Sequence, residues 1–143
     1  MIRINKSSVI DASVDTVWNK VRDFNGLPSW HPAVADSQIE NGEPGDKIGC
    51  IRNFNLADDG GNIREQLLAH SDVDHYTTYS ILESPMPVTG YSATLKLTEI
   101  TDGNRTFIQW TAEFDTDAVD EMRELIGNGI FQGGFDALKE SLA

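Results

Sequence analysis

The chain has 143 residues, enough for a single domain over residues 1–143 and too few for two of ordinary size. Hydrophobic residues at 39% and charged residues at 24% allow a packed interior and exclude a disordered or collagen-like chain. The formal charge of −12 repels phosphate backbones and anionic lipid surfaces, which argues against nucleic acid as a partner.

The pattern predicts a first strand over Ile2 to Ile10, followed by a helix with Ser13 as N-cap and Asp15 in its first turn. Val14, Val17, Trp18 and Val21 recur at helical spacing and form one apolar stripe. Asn25-Gly26 ends that helix, and Leu27 to Trp30 holds at most a short second turn before Pro32. Six further strands are predicted: Val34 to Glu40, Lys47 to Phe54, Asn62 to His70, His75 to Leu82, Tyr91 to Ile100 and Arg105 to Phe114.

Turn chemistry sets the register, and register decides which side chains share a face. A hairpin centred on Asp102-Gly103 pairs Leu97 with Ile108, Leu95 with Trp110 and Tyr91 with Phe114. The neighbours Thr94, Lys96, Thr98, Gln109, Thr111 and Glu113 are polar, as a sheet with one buried face requires. A three-residue loop at Asp72-Val73-Asp74 places Leu67 opposite Tyr79 and Glu65 opposite Ile81. Centring the Asp58 to Gly61 loop so that Phe54 meets Ile63 sets Arg52 against Glu65 and Cys50 against Leu67. An ion pair thus lands on the inner face, where removing both charges from water is costly unless further partners or retained water satisfy them.

The last segment, Ala118 to Leu142, is predicted as one long helix capped by Thr116 or Asp117. Gly127, Gly129, Gly133 and Gly134 interrupt it, and each costs about 1 kcal/mol relative to Ala. Packing must therefore hold this helix, and the missing side chains leave either room for a ligand or a close approach to the sheet.

A lone Cys50 excludes an internal disulfide framework. No apolar run nears the roughly 20 residues that span a bilayer, and Met1 to Lys6 has no signal-peptide core; a cytoplasmic protein without membrane insertion is expected. HExxH, P-loop, GxSxG and CxxC motifs are absent, so no cofactor or metal is expected. His70 and His75 flank Asp72 and Asp74, which suits an ordinary turn better than a metal site.

Several residues are candidates for a binding site. Trp30-His31-Pro32 offers an aromatic wall and a group that titrates near neutrality, with a surface loop as the plain alternative. Arg52 and Glu65 could orient a ligand's polar group, work as an acid-base pair, or simply form a structural ion pair. Tyr79, Tyr91 and Trp110 combine apolar bulk with a polar tip, suited to gripping a ligand or to filling a core. The segment Glu83 to Gly90 is longer than a tight hairpin needs; its Met86 and Val88 could cover a cavity mouth, with an ordinary structural crossover as the plain alternative.

The order of elements resembles the helix-grip fold of the START and birch-pollen-allergen superfamily. Within it, the chain is similar to the bacterial polyketide cyclase/dehydrase and lipid-transport branch, often labelled SRPBCC. The likeness rests on Ala12-Ser13-Val14-Asp15-Thr16-Val17-Trp18, Trp30-His31-Pro32, Arg52 with Glu65, and Tyr79-Ser80-Ile81. It implies an α+β architecture in which a curved antiparallel seven-stranded sheet grips the C-terminal helix around a hydrophobic cavity. The expected function is binding of a small, largely apolar molecule such as a lipid, isoprenoid, aromatic or polyketide-like compound. Trp30, His31, Arg52, Glu65, Tyr79, Met86, Tyr91, Trp110 and Gly133 are the expected ligand-binding residues. A cyclase, aromatase or dehydrase with Glu65 or His31 as base and Arg52 in support is the alternative.

Overall fold

The computed structural model describes residues 1–142. Strand β1 (Ile2–Ile10) is followed by helix α1 (Val14–Val21) and a 3-10 turn at Leu27–Ser29. Six strands come next: β2 (Val34–Ile39), β3 (Ile51–Leu56), β4 (Asn62–Ser71), β5 (Tyr76–Glu83), β6 (Thr89–Ile100) and β7 (Arg105–Asp115). All pair antiparallel in one sheet of order β1-β7-β6-β5-β4-β3-β2. The C-terminal helix is built from α2 (Val119–Met122), a π-helical stretch (Arg123–Phe131) and α3 (Gln132–Leu142). This is the helix-grip architecture expected.

Local chemistry accounts for most of these elements. The Ser13 hydroxyl accepts from the Thr16 N–H at 3.2 Å and starts α1, whose Val17, Trp18 and Val21 are buried. Trp18 Nε1 and Arg22 Nε donate to Asp72 Oδ1, each at 2.9 Å, fastening α1 to the β4–β5 turn. The Arg22 hydrogen bond, helped by that of Trp18, holds the Asp72 carboxyl far below its usual range. His70 Nε2 also lies 3.2 Å from Asp72 Oδ1. Asp72 is thus a structural clasp, and no metal-holding cluster exists among the described residues.

The ladder keeps the predicted pairs Leu97 with Ile108, Leu95 with Trp110, Leu67 with Tyr79, Glu65 with Ile81, Phe54 with Ile63 and Arg52 with Glu65. Two details differ from the sequence reading. The β4–β5 loop has four residues, 72–75, and a bulge at Leu68 takes up the extra one, so the inward set is preserved. His75 adopts φ +58° there, a left-handed position that a tight turn requires. The β6–β7 register shifts between Thr89 and Ser92, so Tyr91 sits in a bulge while its ring still stacks on Phe114 at 5.3 Å.

Strand β3 starts at Ile51, later than the predicted Lys47, although Cys50 still accepts from the Leu67 N–H at 2.9 Å. No side chain caps α2 at Ala118; Thr116 instead accepts from the Ala118 N–H at 3.1 Å, just ahead of the helix. The π-helical stretch is the largest departure. A wider helix leaves weak axial contacts, and Gly127 and Gly129 fall inside it. Gly127 lets the helix approach β1, since a Cβ there would lie 3.4 Å from Ile4 Cγ2. Trp110 links the layers by stacking on Phe131 at 4.4 Å and 12°. One continuous buried cluster includes Ile4, Leu97, Ile108, Phe114, Met122, Ile126, Phe131 and Phe135.

Candidate functional site

At the heart of the sheet lies an ion pair. Strand alternation turns Arg52 and Glu65 inward from neighbouring strands, leaving them 5% and 6% exposed. Arg52 Nε and Nη2 both reach Glu65 Oε1, at 2.8 and 2.7 Å, while Nη1 donates to the Phe24 carbonyl at 3.1 Å. The guanidinium lies 4.0 Å from the Phe24 ring centre and 4.7 Å from that of Tyr79, a cation-π arrangement strengthened by the dry surroundings. Burial pushes the Glu65 carboxyl up from its ordinary value against the pull of Arg52. Breaking such a pair from one side costs about 3–5 kcal/mol because it strands the other charge.

Beside the pair, Trp110 Nε1 donates to the Tyr79 hydroxyl at 3.0 Å. Burial raises both Tyr79 and Tyr91 well above the ordinary phenol range, so both stay neutral hydrogen-bonding groups. His31 is 3% exposed. Its Nε2 is 2.8 Å from the Ile130 carbonyl, and its Nδ1 accepts from the Ala33 N–H at 3.2 Å. These partners assign the neutral tautomer with the proton on Nε2, donating to Ile130. Burial lowers the His31 pKa, in keeping with that assignment.

These groups surround a small inner cavity of about 40 Å³, polar enough at its floor to hold water. His31, Arg52, Glu65, Tyr79, Met86, Tyr91 and Trp110 line it, together with an apolar wall that includes Leu27, Val34, Phe54 and Ile81. Outside it, between the 57–60 and 85–87 loops and the start of the C-terminal helix, is a cleft of about 460 Å³. Ala33, Leu56, Ile63, Met86 and Ile130 line both spaces and so form the partition between them.

Of the nine candidate ligand-binding residues, seven are brought together around one cavity. Trp30 is not among them: its ring packs behind the wall against His31 and Trp110, at 5.5 and 6.0 Å between ring centres. Gly133 is not either: it is half-buried on the outer side of the helix, away from the residues that line the two spaces, and a Cβ there would meet nothing within 4 Å. Its neighbour Gly134 faces inward, where a Cβ would lie 3.0 Å from Trp110, 3.1 Å from His31 and 3.1 Å from Trp30. The empty place in the helix is thus filled by aromatic rings, and the inner chamber is tighter than the sequence reading expects. Val88 lies away from both spaces, whereas Met86 stands in the partition.

Of the two candidate bases, His31 has both nitrogens engaged by backbone, and Glu65 alone has an oxygen, Oε2, that no described residue contacts by hydrogen bond. Sequence reasoning missed Phe24 as the platform under Arg52 and Ile130 as a wall residue. Phe24 follows α1 in an irregular segment, and Ile130 is brought round by the π-helical turn; neither placement has a periodic signal.

A seven-stranded antiparallel sheet closed over a C-terminal helix, with a polar pair at the floor of an apolar cavity, defines a helix-grip protein. Among solved structures of this fold, XoxI from Bacillus cereus is 31% identical with a TM-score of 0.87, covering 99% of this chain and 96% of its own. An uncharacterised protein from Bacillus thuringiensis is 32% identical with a TM-score of 0.85, covering 99% and 98%. A Thermobifida fusca protein is 28% identical with a TM-score of 0.88, covering 99% and 93%. No curated protein matches the chain. The family model described as polyketide cyclase / dehydrase and lipid transport matches residues 1–143, and the chain belongs to that family. No described helix is long and apolar enough to cross a membrane.

Proposed function

We propose that the protein binds one small, largely apolar molecule in the space between sheet and C-terminal helix, with Arg52, Glu65 and Tyr79 orienting its polar end. The observation that carries this reading is a buried ion pair at the floor of an apolar-walled cavity that adjoins a larger outer cleft across Met86. A pair kept for stability alone is commonly replaceable by packed apolar side chains, so its place beside open space favours a ligand role. The guest's body occupies the outer cleft and its end the inner cavity. Burial of its apolar surface supplies most of the affinity, at about 25 cal/mol per Å² before ordering costs.

The neutral fluorophore N-phenyl-1-naphthylamine tests this reading. Saturable enhancement with single-site stoichiometry is expected for the wild type. Ala33→Phe fills the partition at a half-buried position and is expected to weaken binding by at least about tenfold while leaving the melting temperature close to wild type. Absence of enhancement, or equal binding by the variant, refutes the assignment.

A further inference from the structure

We infer that the inner cavity is built for a neutral hydroxyl end of the guest and discriminates against a carboxylate; the inference rests on the binding reading above. The arginine in the floor is already neutralised. Two of its nitrogens converge on Glu65 Oε1, a third is taken by the Phe24 carbonyl, and the rings of Phe24 and Tyr79 lie over the guanidinium at 4.0 and 4.7 Å. A guest carboxylate would find no unpaired cation, and would place a second negative charge beside Glu65 in a cavity of only about 40 Å³ with little water to screen it.

The unmet valence is an acceptor. Both contacts that Arg52 makes to Glu65 fall on Oε1, and Oε2 has no donor among the described residues. Nor is Oε2 sealed in protein: Trp30 Nε1 is the one fully buried, unpartnered side-chain polar atom described, so Oε2 borders open space, and Glu65 lines the inner cavity. The complementary donors are close by. The Tyr79 oxygen accepts from Trp110 Nε1, and the neighbouring Tyr79 and Tyr91 hydroxyls engage at most one of their two protons with each other, which leaves one to donate into the space both line. A hydroxyl both donates and accepts. It can give its proton to Oε2 and receive one from a tyrosine, satisfying both sides at once. A guest cation would answer Oε2 but would face Arg52 without its own counter-charge. The guest class is therefore an alcohol or phenol with an apolar body too large for the inner cavity, extending past Met86.

Calorimetric titration of the full chain with four matched probes separates the alternatives: para-hexylphenol, para-hexylanisole, para-hexylbenzoate and hexylbenzene. Para-hexylphenol is expected to bind at least about tenfold more tightly than each of the others. The anisole keeps the oxygen and exchanges the proton for a methyl, and hexylbenzene removes the group without adding bulk, so the two together separate loss of the proton from a steric clash. In Glu65→Gln, where Arg52 loses its counter-charge, the preference is expected to turn from the phenol toward the benzoate. A purely structural role for Glu65 would weaken all probes together. If the anisole or hexylbenzene matches the phenol, or the benzoate binds best to wild type, the hydroxyl assignment is overturned while the cavity reading stands. Binding of none of the four overturns both. The wild-type comparison decides the matter even where the Glu65 variant fails to fold.

Discussion

Glu65 and His31 show how differently two buried titratable groups can be placed in one wall. Glu65 retains an open oxygen, whereas His31 is a clip between the 31–33 segment and the helix at Ile130, with each nitrogen committed to a backbone group. A proton added at Nδ1 would face the Ala33 N–H, donor against donor. Because burial lowers the His31 pKa in the folded state, the unfolded chain takes up that proton first. The contribution of His31 to stability is thus complete above the unfolded value of about 6.5 and declines as pH falls through it, by at most about 1.4 kcal/mol per pH unit. Glu65, whose folded pKa is raised, has the opposite sign: its contribution weakens as pH rises above the ordinary carboxylate range. The difference in urea unfolding free energy between wild type and His31→Gln is expected to shrink between about pH 7 and pH 5; a constant difference would remove the clip. The Arg52–Glu65 pairing was legible from register alone, since loop centres and alternation determine facing residues. The engagement of His31 was not, because its partner lies 99 positions away on a helix of unexpected pitch.

At the scale of elements, two adjacent glycines in the C-terminal helix have unequal surroundings. Gly134 is pressed against three aromatic rings, while a methyl at Gly133 would meet open space. Gly133→Ala is expected to raise stability by about 0.5–1 kcal/mol through helix propensity and a less flexible unfolded chain. In Gly134→Ala the same gain is opposed by an overpacked contact, which typically costs about 1–3 kcal/mol, so a net loss is expected. Chemical denaturation of the two variants side by side checks the contrast; equal effects would remove the claim of close approach. The glycines themselves mark a special helix in the sequence. Which of them touches the sheet was beyond reach, because the π-helical stretch over Arg123–Phe131 resets the phase of every later residue. Strands were far more legible, as period-two alternation survives small errors at their ends. The late start of β3 was hidden because Lys47 to Cys50 continues the chain toward Leu67 without forming part of the strand.

For the molecule as a whole, a charge of −12 opposes compaction through self-repulsion. Exposed pairs such as Arg3 with Glu113 at 3.8 Å offset little of this, being worth about 0–1 kcal/mol each. Raising sodium chloride from about 10 mM to about 200 mM, which shortens the screening length severalfold, is expected to raise the melting temperature in scanning calorimetry. A decrease would mean that attractive pairs dominate. The same whole-molecule view bears on the 72–75 turn and the bulge at Leu68, which together keep Leu67, Tyr79 and Glu65 facing inward. Loop length and bulge form a single arithmetic. Removing one turn residue without ironing out Leu68 would slip β5 by one step and exchange its two faces, sending Tyr79 outdoors and uncovering the arginine beneath it. A descendant of this chain can lose both irregularities together, or keep both, but shedding one alone would turn the inner face of β5 inside out.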